Sequence, residues 1–143
     1  MIRKSTKDDI NKIVQLWYEV SLKAHDFIDK EYWKASQQDM KEEYIPLSDT
    51  YIIEEANQLR GFISMVDNYL AALFVDSRFQ SRGYGKRLLD YVKEDKEYIE
   101  LKVFQKNNRA YKFYSTNGFT IEQELIDKDL NEKEYLMIWK SKE

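Results

Sequence analysis

Apolar positions recur along this chain with two different periods, and the period changes where turn residues fall. Ile2 to Lys4 reads as a short strand, and Thr6 followed three positions later by Asp9 has the capping-box spacing that satisfies free amides at a helix start. Ile10, Ile13, Val14, Trp17, Ser21 and Ala24 then recur at helical spacing, with Asn11, Lys12, Gln15 and Glu19 opposite, which predicts an amphipathic helix ending near His25. The stretch DKEYWKASQQDMKEEYI, carrying Trp33, Met40 and Tyr44, predicts a second and less regular helix halted by Pro46, the only proline. TYIIEE and RGFISMV flank the polar EANQL and read as an antiparallel hairpin. YLAALFV, from Tyr69 to Val75, is a near-continuous apolar run, the mark of a strand covered on both faces in the middle of a sheet.

After a glycine turn, Leu88, Leu89 and Val92 give a further helix its apolar face, and the charged KEDKE closes it. YIELKVF alternates as a strand does. QKNNRAYKFYSTNGF then opens a helix with Ala110, Phe113 and Tyr114 on one face, ended by Asn117-Gly118 as a left-handed cap. FTIEQEL and EYLMIWK, separated by the polar IDKDLNEK, predict a closing hairpin. The order is that of mixed α and β in a single layered domain spanning 1–143.

Charge and composition narrow the chemistry. Lys and Arg number 23 against 26 Asp and Glu, a net charge of -3, so the basic excess of a nucleic-acid binder is missing. The absence of cysteine and the single histidine exclude a cysteine nucleophile, a disulfide framework and a Cys/His zinc site within one chain, and no metal is expected. No stretch approaches the roughly 20 apolar residues of a membrane span, and MIRKSTKDDI lacks the apolar run of a signal peptide. A soluble cytoplasmic protein with no nucleic-acid or membrane partner is the expectation.

The candidate chemistry lies in VDSRFQSRGYGKRLLDYV, where an apolar strand hands over to a helix through Gly83 and Gly85 among Arg82, Lys86 and Arg87. Helix N-termini expose unpaired amides at the positive end of the dipole, and glycine lets an anion approach the backbone. A Walker A loop needs four residues between its glycines and Ser or Thr after the lysine, whereas here only Tyr84 intervenes and Arg87 follows Lys86. A dinucleotide fingerprint needs a small residue where Leu88 stands. By itself the turn fits a tight strand-to-helix connection with solvated cations as well as it fits a phosphate site.

Gln80-Ser81-Arg82-Gly83-Tyr84-Gly85 resembles the Q/R-x-x-G-x-G/A pyrophosphate loop of the GNAT N-acetyltransferases. LFVD before it, VFQKNNRAYKFYSTNGF after it with its F-Y-x-x-x-G-F ending, and the order of elements from Ile2 to Trp139 are similar to the small single-domain bacterial members. The resemblance implies an α/β (α+β) fold, a mixed and mostly antiparallel sheet of about seven strands splayed between strands four and five, with about four helices. It implies acetyl-CoA as co-substrate, with pyrophosphate on Gln80, Ser81, Arg82, Gly83, Tyr84, Gly85 and Lys86. Pantetheine would lie along Leu73, Phe74 and Val75, hydrogen-bonded by Asn107 and lined by Tyr111. An N–H near Phe74 or Val75 would stabilise the oxyanion, and Tyr114 would be the general acid. Asn107 also reads as a turn residue before the helix cap, and Tyr114 as a core aromatic with Phe113 beside it.

The implied reaction is direct attack of a primary amine on the bound thioester in a ternary complex, which agrees with the lack of cysteine. The acceptor, a small molecule or a peptide amine, would enter near His25, Asp26, Phe27 and Asp67. Ala71 stands where close relatives have an acid, which leaves the general base open among Asp67, Glu54, Glu55, His25 and a water chain. A catalytically inactive acyl-CoA-binding module, or a scaffold that keeps the fold, is the alternative. Exposed closing strands of this fold also suit a homodimer.

Overall fold

The structure, a computed structural model, describes residues 1–142. The expected span runs to residue 143, which lies outside the described residues. Seven strands, β1 (Ile2–Lys4), β2 (Asp49–Glu55), β3 (Gln58–Val66), β4 (Tyr69–Val75), β5 (Tyr98–Phe104), β6 (Thr120–Asp127) and β7 (Glu132–Lys140), form one sheet in the order β1-β2-β3-β4-β5-β7-β6. Only β4 and β5 pair parallel; every other neighbouring pair is antiparallel. The helices are α1 (Ile10–Ala24), α2 (Lys30–Asp39), the single turn α3 (Ile45–Leu47), α4 (Tyr84–Lys93) and α5 (Asn108–Thr116).

Local chemistry accounts for the element ends. The Asp9 carboxylate accepts the Thr6 N–H at 2.7 Å and two Arg3 guanidinium N–H groups at 2.9 Å, tying the α1 entry to β1. That pairing holds the Asp9 carboxyl down at about 2. Pro46 does not halt the second helical segment where the sequence suggests. A π turn, Met40–Tyr44, joins α2 to α3, with Ile45 N–H reaching back to the Met40 carbonyl. The wider turn carries Pro46, which has no N–H to give, as far as the end of the segment at Leu47. The α2–α3 run therefore counts as one segment, and the helical segments number the expected four. The β2–β3 turn is only Ala56 and Asn57, both left-handed at φ 54° and 61°, the geometry that matches the twist of a two-residue hairpin.

Helices cover both sheet faces. On one face α4 and α5 bury Leu88, Leu89, Val92 and Tyr114 against Ile63, Leu101 and Met137. On the other, α1 and α2 bury Ile13, Trp17 and Trp33 against Ile52 and Phe62.

The centre of the sheet departs from a fully covered strand. β4 lies in the middle, yet it pairs with β5 only at Tyr69 and Glu100, where Glu100 N–H donates to the Asn68 carbonyl at 2.9 Å. Beyond that bridge the strands diverge, and Ala72 to Val75 are half-exposed instead of buried on both faces. The two strands make the expected splayed wedge.

Candidate active site

A one-residue bulge decides which backbone groups face the wedge. Ser64 pairs with Ala72 and Met65 with Leu70, so Ala71 is an extra residue in β4. Before it, Asn68 carbonyl points to β5. After it, Asp76 N–H donates to Arg60 of β3 at 2.8 Å, so residues 72 and 74 also bond to β3 while Leu73 and Val75 turn their amides to the open side. The expectation of a free N–H at Phe74 is thereby corrected: that amide is taken by β3, and Leu73 and Val75 offer theirs. An unpaired strand edge of this kind suits an extended amide-bearing arm such as pantetheine.

The glycine turn lies at the top of the same strand. Asp76 caps the turn Ser77–Phe79 by accepting Arg78 N–H at 3.0 Å and pairs with the Arg78 guanidinium at 2.8 Å. The Gln80 side chain donates to the Val75 carbonyl at 3.2 Å. Ser81 is left-handed at φ 66°, and Gly83, the residue before α4, at φ 86°. A Cβ at Gly83 would meet nothing within 4 Å, so open space adjoins the first amides of α4. Gly85 serves a different purpose from the one expected. A Cβ there would stand 3.3 Å from the Phe113 ring and 3.6 Å from Val75, so the missing side chain lets α4 pack on α5 and β4.

The expected cations divide. Lys86 is paired with Asp90 at 2.6 Å along α4, and Arg87 lies over the Tyr84 ring. Tyr84 itself is buried, its hydroxyl donating to Glu55 at 2.6 Å, so this residue offers the loop its amide and not its side chain. Arg82 stays at the loop, 5.5 Å from the Phe79 ring centroid. Sequence reasoning missed Arg109, whose guanidinium reaches Ser81 Oγ at 3.2 Å from the first turn of α5. Its position two residues after Asn107 was the available signal. Lys23, also missed, donates to Ser77 Oγ at 3.1 Å from the end of α1.

Asn107 joins the two halves of the site. Its Oδ1 accepts Ala110 N–H at 3.2 Å and caps α5, while its Nδ2 lies 3.2 Å from His25 Nε2. His25 stacks on Trp33 at 5.1 Å and meets the edges of Phe104 at 5.1 Å and Phe27 at 6.0 Å. Burial pushes the imidazole down to about 4, so it is neutral at physiological pH. Asp26 is exposed beside this aromatic wall. Asp67 is not brought to it. It sits in the β3–β4 turn at the closed end of the wedge, while His25 meets Asn107 at the open end. A cleft of about 400 Å³ opens there between Lys23, Ala24, Ser77, Gln80, Asn107 and Arg109.

Tyr114 projects from α5 into the core cluster against which Leu73 and Val75 of β4 pack. It is 8% exposed, more buried than its neighbour Phe113. Phe113 fills the gap at Gly85. The Tyr114 hydroxyl makes no hydrogen bond to the described residues, and burial, with Tyr69 nearby, pushes its pKa up. The phenol therefore keeps its proton at neutral pH, the form a general acid requires. Tyr111 packs on Tyr135 at 5.3 Å at the edge of the same cluster.

Comparison with known proteins agrees with this geometry. The Acetyltransferase (GNAT) domain profile matches residues 46–121. Peptidyl-lysine N-acetyltransferase YiaC of Escherichia coli is 34% identical over 122 residues, covering 85% of this chain and 84% of that protein. The solution structure of apo YjaB from Escherichia coli superposes with a TM-score of 0.85 at 21% identity, over 97% of this chain and 96% of that one. The YncA structure from Salmonella typhimurium with acetyl-CoA superposes with a TM-score of 0.73 at 15% identity, over 100% and 94% of the two chains. Among the described residues no group of side chains could hold a metal ion, and no helix is long and apolar enough to cross a membrane. With the profile covering more than half of its length, this chain belongs to the GNAT acetyltransferases, enzymes that take their acetyl group from acetyl-CoA.

Proposed function

We propose that the protein transfers the acetyl group directly from acetyl-CoA to the side-chain amine of a lysine in a peptide or protein, within a ternary complex. The observation that carries this reading is the open β4 edge, flanked at one end by the free amides of α4 and along its side by the Tyr114 phenol. Pyrophosphate would lie on the amides after Gly83 with Arg82 and Arg109 beside it, and the pantetheine arm would bond to Leu73 and Val75. The carbonyl oxygen would meet an outward amide of β4, where a fixed dipole stabilises developing charge. Collapse of the tetrahedral intermediate leaves charge on sulfur, to which Tyr114 donates its proton.

The lysine acceptor is suggested by the names of the relatives, peptidyl-lysine N-acetyltransferases YiaC and YjaB. The aromatic wall of His25, Phe27 and Phe104 suits the aliphatic stem of such a side chain. Mass spectrometry of the protein incubated with acetyl-CoA and a panel of lysine peptides, polyamines, aminoglycosides and amino acids tests the reading. Acetyl-lysine in the peptides is the expected product. Coenzyme binding with no acetylated amine anywhere in the panel would favour the inactive binding module.

A further inference from the structure

An ammonium must lose a proton before it can attack, and the β4 stretch beside the bulge, Ala71 and Ala72, has no group to take it. The carboxylates named from the sequence are engaged or remote. Glu54 pairs with Arg3 and Glu55 accepts from Tyr84, while Asp67 lies in the β3–β4 turn. His25 is neutral with Nε2 already engaged by Asn107.

Glu134 is differently placed. It lies on β7 directly opposite Phe104 of β5, so the two side chains share a sheet face, and Phe104 is the ring that meets both His25 at 5.1 Å and Phe27 at 5.5 Å. Leu125 of β6 stands on its other side. The carboxylate is half-buried and has no hydrogen-bond or ion-pair partner among the described residues, whereas neighbouring Glu132 is paired with Lys106 and Glu124 with Gln105. The charged and titratable groups that act on Glu134 or feel it are Asp127 of β6, Lys102 of β5 and Tyr69 of β4. Burial and Asp127 raise its pKa against the pull of Lys102, and Tyr69 in turn acts on Tyr114. Carboxylate and phenol, on opposite faces of the sheet, thus both interact with Tyr69 of β4, the residue that pairs with β5 where the wedge closes.

We propose that Glu134 is the proton acceptor that turns the bound ammonium into the attacking amine, an assignment that rests on the acetyl-transfer reading above. One proton passes from the ammonium nitrogen to the Glu134 carboxylate and on to water. The freed lone pair forms the C–N bond at the acetyl carbon, and the C–S bond breaks with its electrons on sulfur. Sulfur takes the Tyr114 proton, and the surplus proton on the new amide nitrogen returns to the Tyr114 phenolate. An ammonium and a thioester become an amide, a thiol and one released proton.

The test compares parent, Glu134→Gln and Glu134→Asp with whichever amine the parent acetylates, reading kcat/KM against pH together with acetyl-CoA Kd and Tm. Glu134→Gln should lose about 10²–10⁴-fold in kcat/KM near neutral pH. The loss should shrink at high pH, where water deprotonates the amine, with Kd and Tm at parental values and Glu134→Asp partly restoring the rate. A Gln variant with the parental profile, or one whose loss is the same at every pH or comes with a weakened Kd, overturns the assignment. A parent that acetylates no amine overturns the acetyl-transfer reading instead.

Discussion

Asn107 Nδ2 meets His25 Nε2 at 3.2 Å across 82 positions of chain. Because Asn107 Oδ1 already accepts Ala110 N–H, the nitrogen end of the amide faces the ring and donates, which makes Nε2 the acceptor and leaves the ring proton on Nδ1. Nδ1 is buried with no partner among the described residues. One amide therefore caps α5 and fixes the tautomer of the ring at the centre of the aromatic wall.

Burial of the His25 ring gives stability a pH dependence. An unfolded histidine protonates at about 6.5 and the folded ring only at about 4, so between those values the unfolded chain binds more protons. The contribution of His25 is whole above the upper value and is lost as pH falls through the window, by roughly 2 kcal/mol between about pH 7 and about pH 5. Asp9, with its carboxyl held at about 2, adds its own loss only below that window. Denaturant unfolding of parent and His25→Phe at the two pH values checks this: the parent should lose more stability than the variant, and parallel losses would remove His25 as the cause.

Gly83 and Gly85 should fail in different ways. Gly83→Val places a branched side chain in open space at φ 86°, where the left-handed conformation costs about 1–2 kcal/mol and the side chain obstructs the α4 amides. Calorimetry should find acetyl-CoA binding weakened at least tenfold in a folded protein. Gly85→Val should lower Tm first, because its side chain collides with Phe113 and Val75.

Tyr114→Phe keeps the ring among Phe113 and Phe119 and removes only a hydroxyl that has no hydrogen-bond partner among the described residues. Stability should hold or rise slightly, acetyl-CoA affinity should be unchanged, and kcat should fall by about 10²–10⁴-fold where chemistry limits the rate. A parental kcat under those conditions would take Tyr114 out of the mechanism.

Ala56 occupies a left-handed position at φ 54° with no glycine to ease it. Ala56→Gly should stabilise the β2–β3 hairpin by about 1 kcal/mol, read as a rise in the denaturation midpoint with no change in activity.

Much of this fold is legible in the chain because its strands are bounded by turn chemistry. Tyr69 to Val75 and YIELKVF end where the structure ends them, and Gly118 takes the positive φ assigned to it. The bulge at Ala71 was not legible: it is a mismatch between two strands, and an apolar run reads the same in either phase. The neighbours Phe113 and Tyr114 could not be sorted by helical period, since the gap that receives Phe113 is created by Gly85, far away in sequence. Glu134 reads as one acid in a closing strand, and it meets Phe104 only because β7 inserts between β5 and β6.

The extra residue in β4 has a consequence for how this strand can change its length. From the Asn68–Glu100 bond that closes the wedge to Val75 at its mouth, the outward amides are set by parity, an odd or even count along the chain. Inserting or deleting one residue there would turn the amides of Leu73 and Val75 toward β3 and present the wedge with those that β3 now uses. Changes of two residues preserve the count. The wedge can thus lengthen or shorten only in double steps, which makes the strand a ruler with a permitted unit as well as a surface to bind on.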